Sequence, residues 1–135
     1  LKEKIMADFE ALNTKYTPVI DTVKQFEPYG AKFVGSELVG EQLHLVANVP
    51  SKVVLDRVWD SIKAVDPEFA DLKHEITNTG GDNQEYELVH GDTLSHISKV
   101  FYGSPNHYMK IAEASGMDDP NKGQVGQKIT IPPLG

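Results

Sequence analysis

Cysteine is absent from the 135 residues, so no disulfide braces the fold and no thiolate is available as nucleophile or metal ligand. That suits a reducing compartment without excluding a bacterial periplasm. No apolar run approaches the length of a membrane span, and no signal-peptide core is present. The chain opens on Leu1 rather than Met, which is compatible with a removed upstream segment, so cell envelope and cytoplasm both stay open as locations. Basic residues are scarce: 13 Lys and Arg stand against 20 Asp and Glu, for a formal charge of −7. Residues 1–78 hold 9 basic and 13 acidic groups and residues 85–135 hold 4 and 6, so neither part carries a basic stripe. That charge balance argues against nucleic acid as a partner and offers nothing that an anionic lipid surface would reward. The motifs of catalysis are missing too: there is no Gly-rich phosphate loop, no H-E-x-x-H and no G-x-S-x-G. The chain reads as non-enzymatic.

What is present is concentrated between Tyr86 and Pro132. Glu85 to Val89 reads as a short strand that ends in a tight turn at Gly91. A helix follows from Asp92 or Thr93, whose side chains can accept from the free amides of a first turn. Leu94, Ile97 and Phe101 recur at helical spacing, with Val100 beside them, and Tyr102-Gly103 closes the helix. A second helix is predicted from about Pro105, with Tyr108, Met109, Ile111 and Ala112 facing inward. Gly126 then leads into a strand, Gln127 to Ile131, in which Ile129 and Ile131 alternate with Lys128 and Thr130. Two helices between two strands predict an antiparallel pair.

The runs V-H-G-D-T-L-S-H-I-S, F-Y-G and G-Q-K-I-T-I-P at this spacing resemble the LysM module, a small carbohydrate-binding domain of bacterial cell-wall proteins and plant chitin receptors. The resemblance implies a groove between the strand-to-helix turn and the loop after the second helix. The ligand that the resemblance implies is an N-acetylglucosamine polymer, peptidoglycan or a chitin-like glycan. Carried over position by position, the groove residues are Gly91, Asp92, Thr93, Leu94 and Ser95, then Ser115, Gly116, Met117 and Asp118. Asp92 and Thr93 double as helix caps, Leu94 is half core by its spacing, and Met117 is the purely superficial apolar contact. One position departs: Ser115 stands where the family often has Asn.

The chain before this stretch changes period several times. Residues 2–13 read as a helix with Ile5, Phe9 and Leu12 on one face and Met6 beside them. Thr17-Pro18 starts another, marked by Val19, Ile20, Val23 and Phe26. Ala31 to Val39 and Gln42 to Val49 read as strands, and Leu43, Leu45, Ala47 and Val49 alternate with Gln42, His44, Val46 and Asn48. A helix from Pro50-Ser51 carries Leu55, Val58, Trp59, Ile62 and Val65 on one side. A third strand spans Ala70 to Thr77, in which Ala70, Leu72, His74 and Ile76 alternate with Asp71, Lys73, Glu75 and Thr77. This order, with the run V-A-N-V-P-S-K-V-V-L-D-R-V-W, resembles the BON module, a small α+β domain found beside envelope modules and linked to phospholipid attachment. The expected architecture is α+β: an N-terminal helix over residues 1–17, a BON-like unit over 18–78, a flexible linker over 79–84 and a LysM fold over 85–135.

Other chemistry is read against plainer explanations. Ser95 and His96 are neighbours on a helix and diverge by about 100°, so they form no nucleophile–base pair. A metal held by His90, Asp92 and His96 is the sharper alternative to a capping Asp92 with two solvated histidines. His44 and His74 lie at strand positions without a visible partner. The BON-before-LysM layout resembles small bacterial potassium-binding proteins, which implies an ion site built from backbone carbonyls that leaves no side-chain signature. Carboxylates at Asp66, Glu68 and Asp71, or at Asp118 and Asp119, read as solvated loops. Gly80-Gly81 would then be a hinge between the modules. An envelope adaptor joining the wall to a lipid or protein partner is the third function considered; no cofactor other than potassium is implied.

Overall fold

The computed structural model describes residues 1–135 and is an α+β protein. Helix α1 (Lys2–Lys15) and helix α2 (Thr17–Gln25) precede a hairpin of β1 (Lys32–Val39) and β2 (Gln42–Ser51). Helix α3 (Lys52–Val65) then leads to β3 (Leu72–Gly81). Sheet order is β1-β2-β3, antiparallel between the first two and parallel between β2 and β3, with α3 as the crossover. The C-terminal part follows as β4 (Gln84–Glu87), α4 (Leu94–Tyr102), α5 (Tyr108–Ala114) and β5 (Lys128–Ile131), with β4 and β5 antiparallel.

The alternation in β2 decides which face of the larger sheet is covered. Leu43, Leu45, Ala47 and Val49 have no exposed surface, and Val19, Val23, Val54, Val58 and Ile62 from α2 and α3 are equally buried in the same core. Tyr16, in the break between α1 and α2, is also fully buried. Its hydroxyl donates to Asp71, whose carboxylate also binds Lys15 Nζ at 2.7 Å. Burial, then this hydrogen bond, raises the Tyr16 pKa above its usual value.

Several expectations are corrected. In α1 only Phe9 and Leu12 pack against the core, while Ile5 and Met6 stay more than half exposed. In β3, Leu72, His74 and Ile76 do share the helix-covered face, paired with Leu43, Leu45 and Ala47. On this edge strand, however, Leu72 alone is buried, and His74 is exposed there, edge-on to Trp59 at 4.6 Å between ring centroids. Tyr108 and Met109 do not face inward, because residues Pro105–His107 form a 3-10 turn and the α-helical phase starts only at Tyr108. The stretch read as a linker is mostly strand. β3 runs to Gly81, which pairs with Ser51, and β4 begins at Gln84.

The two parts share one apolar core. Phe26 and Tyr29, just after α2, meet Phe101 of α4 at 5.6 and 5.0 Å between centroids, and Tyr29 also meets Tyr86 of β4 at 5.9 Å. Ser51 supplies the polar link. Its Oγ caps α3 by accepting from the Val54 amide at 3.2 Å and donates to Gln84 Oε1 at 2.7 Å, with both residues buried.

Candidate functional site

The turn from β4 into α4 is built by three side chains. Asp92 Oδ2 accepts from the Tyr86 hydroxyl at 2.6 Å and from the Val89 amide at 2.8 Å, which closes the loop back onto β4. Burial, reinforced by this carboxylate, pushes the Tyr86 pKa above its usual value. Thr93, not Asp92, caps α4: its Oγ1 accepts from the His96 amide at 3.1 Å. His90 and His96 are exposed, and Asp92 is already committed to Tyr86 and Val89. Ser95 Oγ lies 3.4 Å from Thr93 Oγ1, so two hydroxyls stand side by side at the start of the helix.

Facing them is the loop after α5. That helix ends at Ser115 and Gly116, where the Met117 amide bonds back to Ala112 O at 2.9 Å, a helix-ending pattern that turns the chain away sharply. Asp119 then holds the next turn, accepting from the Asn121 amide through Oδ1 at 2.9 Å. Gly123 comes so close to Leu88 that an added Cβ would sit 2.7 Å from Leu88 Cδ1, so any larger residue here would have to push that methyl aside.

Between the two lies a groove of about 360 Å³, with Leu88, Asp92, Thr93, Leu94 and Ser95 on one side and Tyr108, Pro120, Asn121 and Gly123 on the other. Leu88 and Leu94 are almost fully buried and form its floor, and Tyr108 stands 37% exposed at its edge. Asp92 is the only ionisable carboxylate among the lining residues, and the other polar groups are neutral hydroxyls and an amide. Such a lining suits a neutral ligand rich in hydroxyl and amide groups.

Of the expected site residues, Asp92, Thr93, Leu94 and Ser95 line this groove, whereas Gly91 does not. None of Ser115, Gly116, Met117 and Asp118 lines it. Ser115 is occupied instead in tying α5 to β5, accepting from the Thr130 amide at 2.9 Å and donating to Thr130 O at 3.3 Å. Met117 packs against the core, and Asp118 is exposed. Tyr108, Pro120, Asn121 and Gly123 carry the second wall. Pro120 and Asn121 carry a turn signature in sequence but lie outside the motif runs. Of the other carboxylates, Asp66 and Asp71 grip Lys15 at 2.9 and 2.7 Å. His44 is 17% exposed between Glu37 and Glu75, at 3.5 and 3.8 Å.

Comparison with known families decides what this βααβ unit is. A family model described as LysM domain matches residues 86–132. Residues 86–132 are a LysM domain. A LysM domain is a binding module rather than a catalytic one. Known proteins share the likeness over a part of the chain. A potassium binding protein, Kbp, of Escherichia coli is 46% identical over 52 residues, 37% of this chain and 35% of that protein. LysM domain-containing GPI-anchored protein 2 of Arabidopsis thaliana is 39% identical over 56 residues, 40% of this chain and 16% of the plant protein. Esterase Rv1288 of Mycobacterium tuberculosis is 43% identical over 51 residues, 38% of this chain and 11% of the esterase. The chain thus spans between 11% and 35% of the length of these relatives. No helix is long and apolar enough to cross a membrane.

Proposed function

We propose that this chain is a non-enzymatic binding protein whose LysM domain holds an N-acetylglucosamine-containing glycan, peptidoglycan in a bacterium. The observation that carries the reading is the groove between Asp92–Ser95 and Pro120–Gly123, neutral apart from a committed Asp92 and floored by Leu88 and Leu94. A sugar ring with an acetamide asks for an apolar dent beneath its methyl and for hydroxyl and amide partners around it. The fixed helix start and glycine-tight loop offer both with little ordering on binding. In this reading residues 18–78 form a BON-like unit joined to the LysM domain, and an adaptor role between wall and a further partner would use that unit. The test is an amide NMR titration with chitin oligomers. Shifts are expected at Thr93–Ser95 and Asn121–Gly123, and unchanged spectra at millimolar oligomer would sink the reading.

A second reading, a potassium-binding and conformationally responsive protein, is favoured by the 46% identity to the Escherichia coli potassium binding protein. Scattering and amide spectra recorded in sodium and then in potassium separate it from the first. Compaction or widespread shifts specific to potassium support it; identical data in the two salts reject it.

A further inference from the structure

A second cleft, of about 490 Å³, opens where α3 meets the end of α4 and the C-terminal tail, away from the groove at the start of α4. Helical spacing puts Val53, Asp56, Arg57 and Asp60 of α3 along it, and Phe101, Tyr102 and Leu134 close the far side. The Tyr102 hydroxyl donates to Pro132 O and pins the tail, and burial pushes the Tyr102 pKa up to about 12, so this donor stays protonated. The anomaly here is Arg57. None of the ion pairs of the molecule includes it, and its Nε is buried without a hydrogen-bond partner. Asp56, its neighbour, is taken by Lys52 at 2.9 Å. The guanidinium lies over the Phe26 ring, Cζ 5.8 Å from the centroid, and Gly103 leaves room for Nη1, which would stand 3.1 Å from an added Cβ.

Packing on Phe26 satisfies the face of the guanidinium but not its N–H donors, which point outward in its plane. A partly desolvated cation without an acceptor is costly, and its fork is shaped for two parallel hydrogen bonds to one carboxylate. Trp59, Phe101 and Leu134 supply apolar surface beside it, and Asp60 and Lys63 complete the lining. We propose that this cleft binds a carboxylate carried on a small apolar body, with Arg57 as the group that receives it. The ligand is a free organic acid or the C-terminus of a short peptide.

Trp59 is the sole tryptophan and lines the cleft, so its emission reports occupancy directly. The full chain would be titrated with N-acetyl-leucine, with N-acetyl-leucinamide, with a tripeptide ending in leucine and with inorganic phosphate. The acid is expected to shift Trp59 emission and to bind at least about tenfold more tightly than its amide, since only the carboxylate meets the fork. Tighter binding of the tripeptide assigns the site to peptide ends, and weaker binding to free acids. Arg57→Gln, checked for folding by circular dichroism, is expected to bind acid and amide alike, and Arg57→Lys to keep only part of the preference. Equal binding of acid and amide by the unmodified protein, no emission change, or a response to phosphate alone overturns the proposal, whether or not the variants fold. So does a preference that survives in Arg57→Gln. Chitin binding is unaffected by any of these outcomes, so failure here leaves the glycan reading standing.

Discussion

An added Cβ on Gly80 would lie 1.9 Å from the carbonyl oxygen of Pro50. The glycine is there for close approach and not for freedom: β3 crosses the end of β2 at a distance that no side chain permits. Gly81 next to it pairs with Ser51, whose hydroxyl reaches across to Gln84. The segment that looks most like a hinge in sequence is therefore a seam, closed by backbone pairing, a buried hydrogen bond and the Phe26–Tyr29–Phe101 aromatic contacts.

The two glycines of this seam should respond differently to the same change. Gly80→Ala must displace backbone from backbone and is expected to cost about 3 kcal/mol. Gly81→Ala meets nothing within 4 Å and is expected to stay within about 0.5 kcal/mol of the parent. Urea unfolding of both variants checks this. A flexible tether would make both changes neutral, and that result would falsify the seam.

A second test concerns Ser115. Ser115 Oγ both accepts from and donates to the Thr130 backbone, so Ser115→Ala leaves the Thr130 amide without an acceptor. The loss is expected to be about 1 to 2 kcal/mol. Hydrogen exchange at the Thr130 amide should speed up more than at Ile129 or Ile131, whose side chains remain packed. Ser115→Asn, which offers donor and acceptor together, should keep most of the protection. Equal acceleration along β5 would show that Ser115 has no specific tie.

How far the sequence could be read follows from what each element uses for its stability. β2 is held by side-chain burial, so alternation named Leu43, Leu45, Ala47 and Val49 correctly. The start and end of α4 depend on a capping threonine and a glycine, both with local signatures, and Thr93 and Gly103 fill these places. The extension of β3 through Gly81 rests on backbone pairing and a close approach, which leave no hydrophobic pattern, so polar glycine-rich residues read as a linker. In α5 the 3-10 turn at Pro105–His107 shifts the helical phase and turns Tyr108 outward. The near half of the groove followed from the motif, because it is contiguous at Asp92–Ser95. The far half did not, since which loop residues meet it depends on how sharply the chain leaves α5 and on how Gly123 seats against Leu88.

Acid should weaken the attachment of α1. Lys15 binds Asp71 and Asp66, and these bonds raise the Lys15 pKa above the usual lysine value. They hold the Asp66 carboxyl below its usual range, helped by the Glu68 amide. In Asp71 burial pushes the other way, but Lys15 and Tyr16 outweigh it, and that carboxyl is lowered as well. A carboxyl with a depressed folded-state pKa contributes stability above its unfolded value, near 3.9, and loses it as pH falls through the lower folded value. Lysine's contribution is complete below its own unfolded value and declines only in strong alkali. Lys15→Gln should therefore be less stable than the parent at pH 7, with the gap narrowing below about pH 4 as both carboxyls are protonated in either protein. Urea midpoints at pH 7 and pH 3 measure the gap, and a gap of constant size would mean that Lys15 acts through packing alone.

The groove itself makes the sharpest demand on Tyr108, which stands exposed at its edge on α5 although no motif residue pointed to it. A sugar face resting on this ring would lose its apolar contact in Tyr108→Ala, and binding of chitin oligomers should fall about tenfold, or ~1.4 kcal/mol. Tyr108→Phe should keep most of the affinity if stacking matters, and little of it if the hydroxyl is the contact. Asp118→Asn changes an exposed side chain outside the groove and should alter affinity less than about twofold. The reverse order, a silent Tyr108 and a costly Asp118, would move the glycan out of this groove and onto the loop immediately after α5. Titration calorimetry of the three variants against one oligomer distinguishes the two placements.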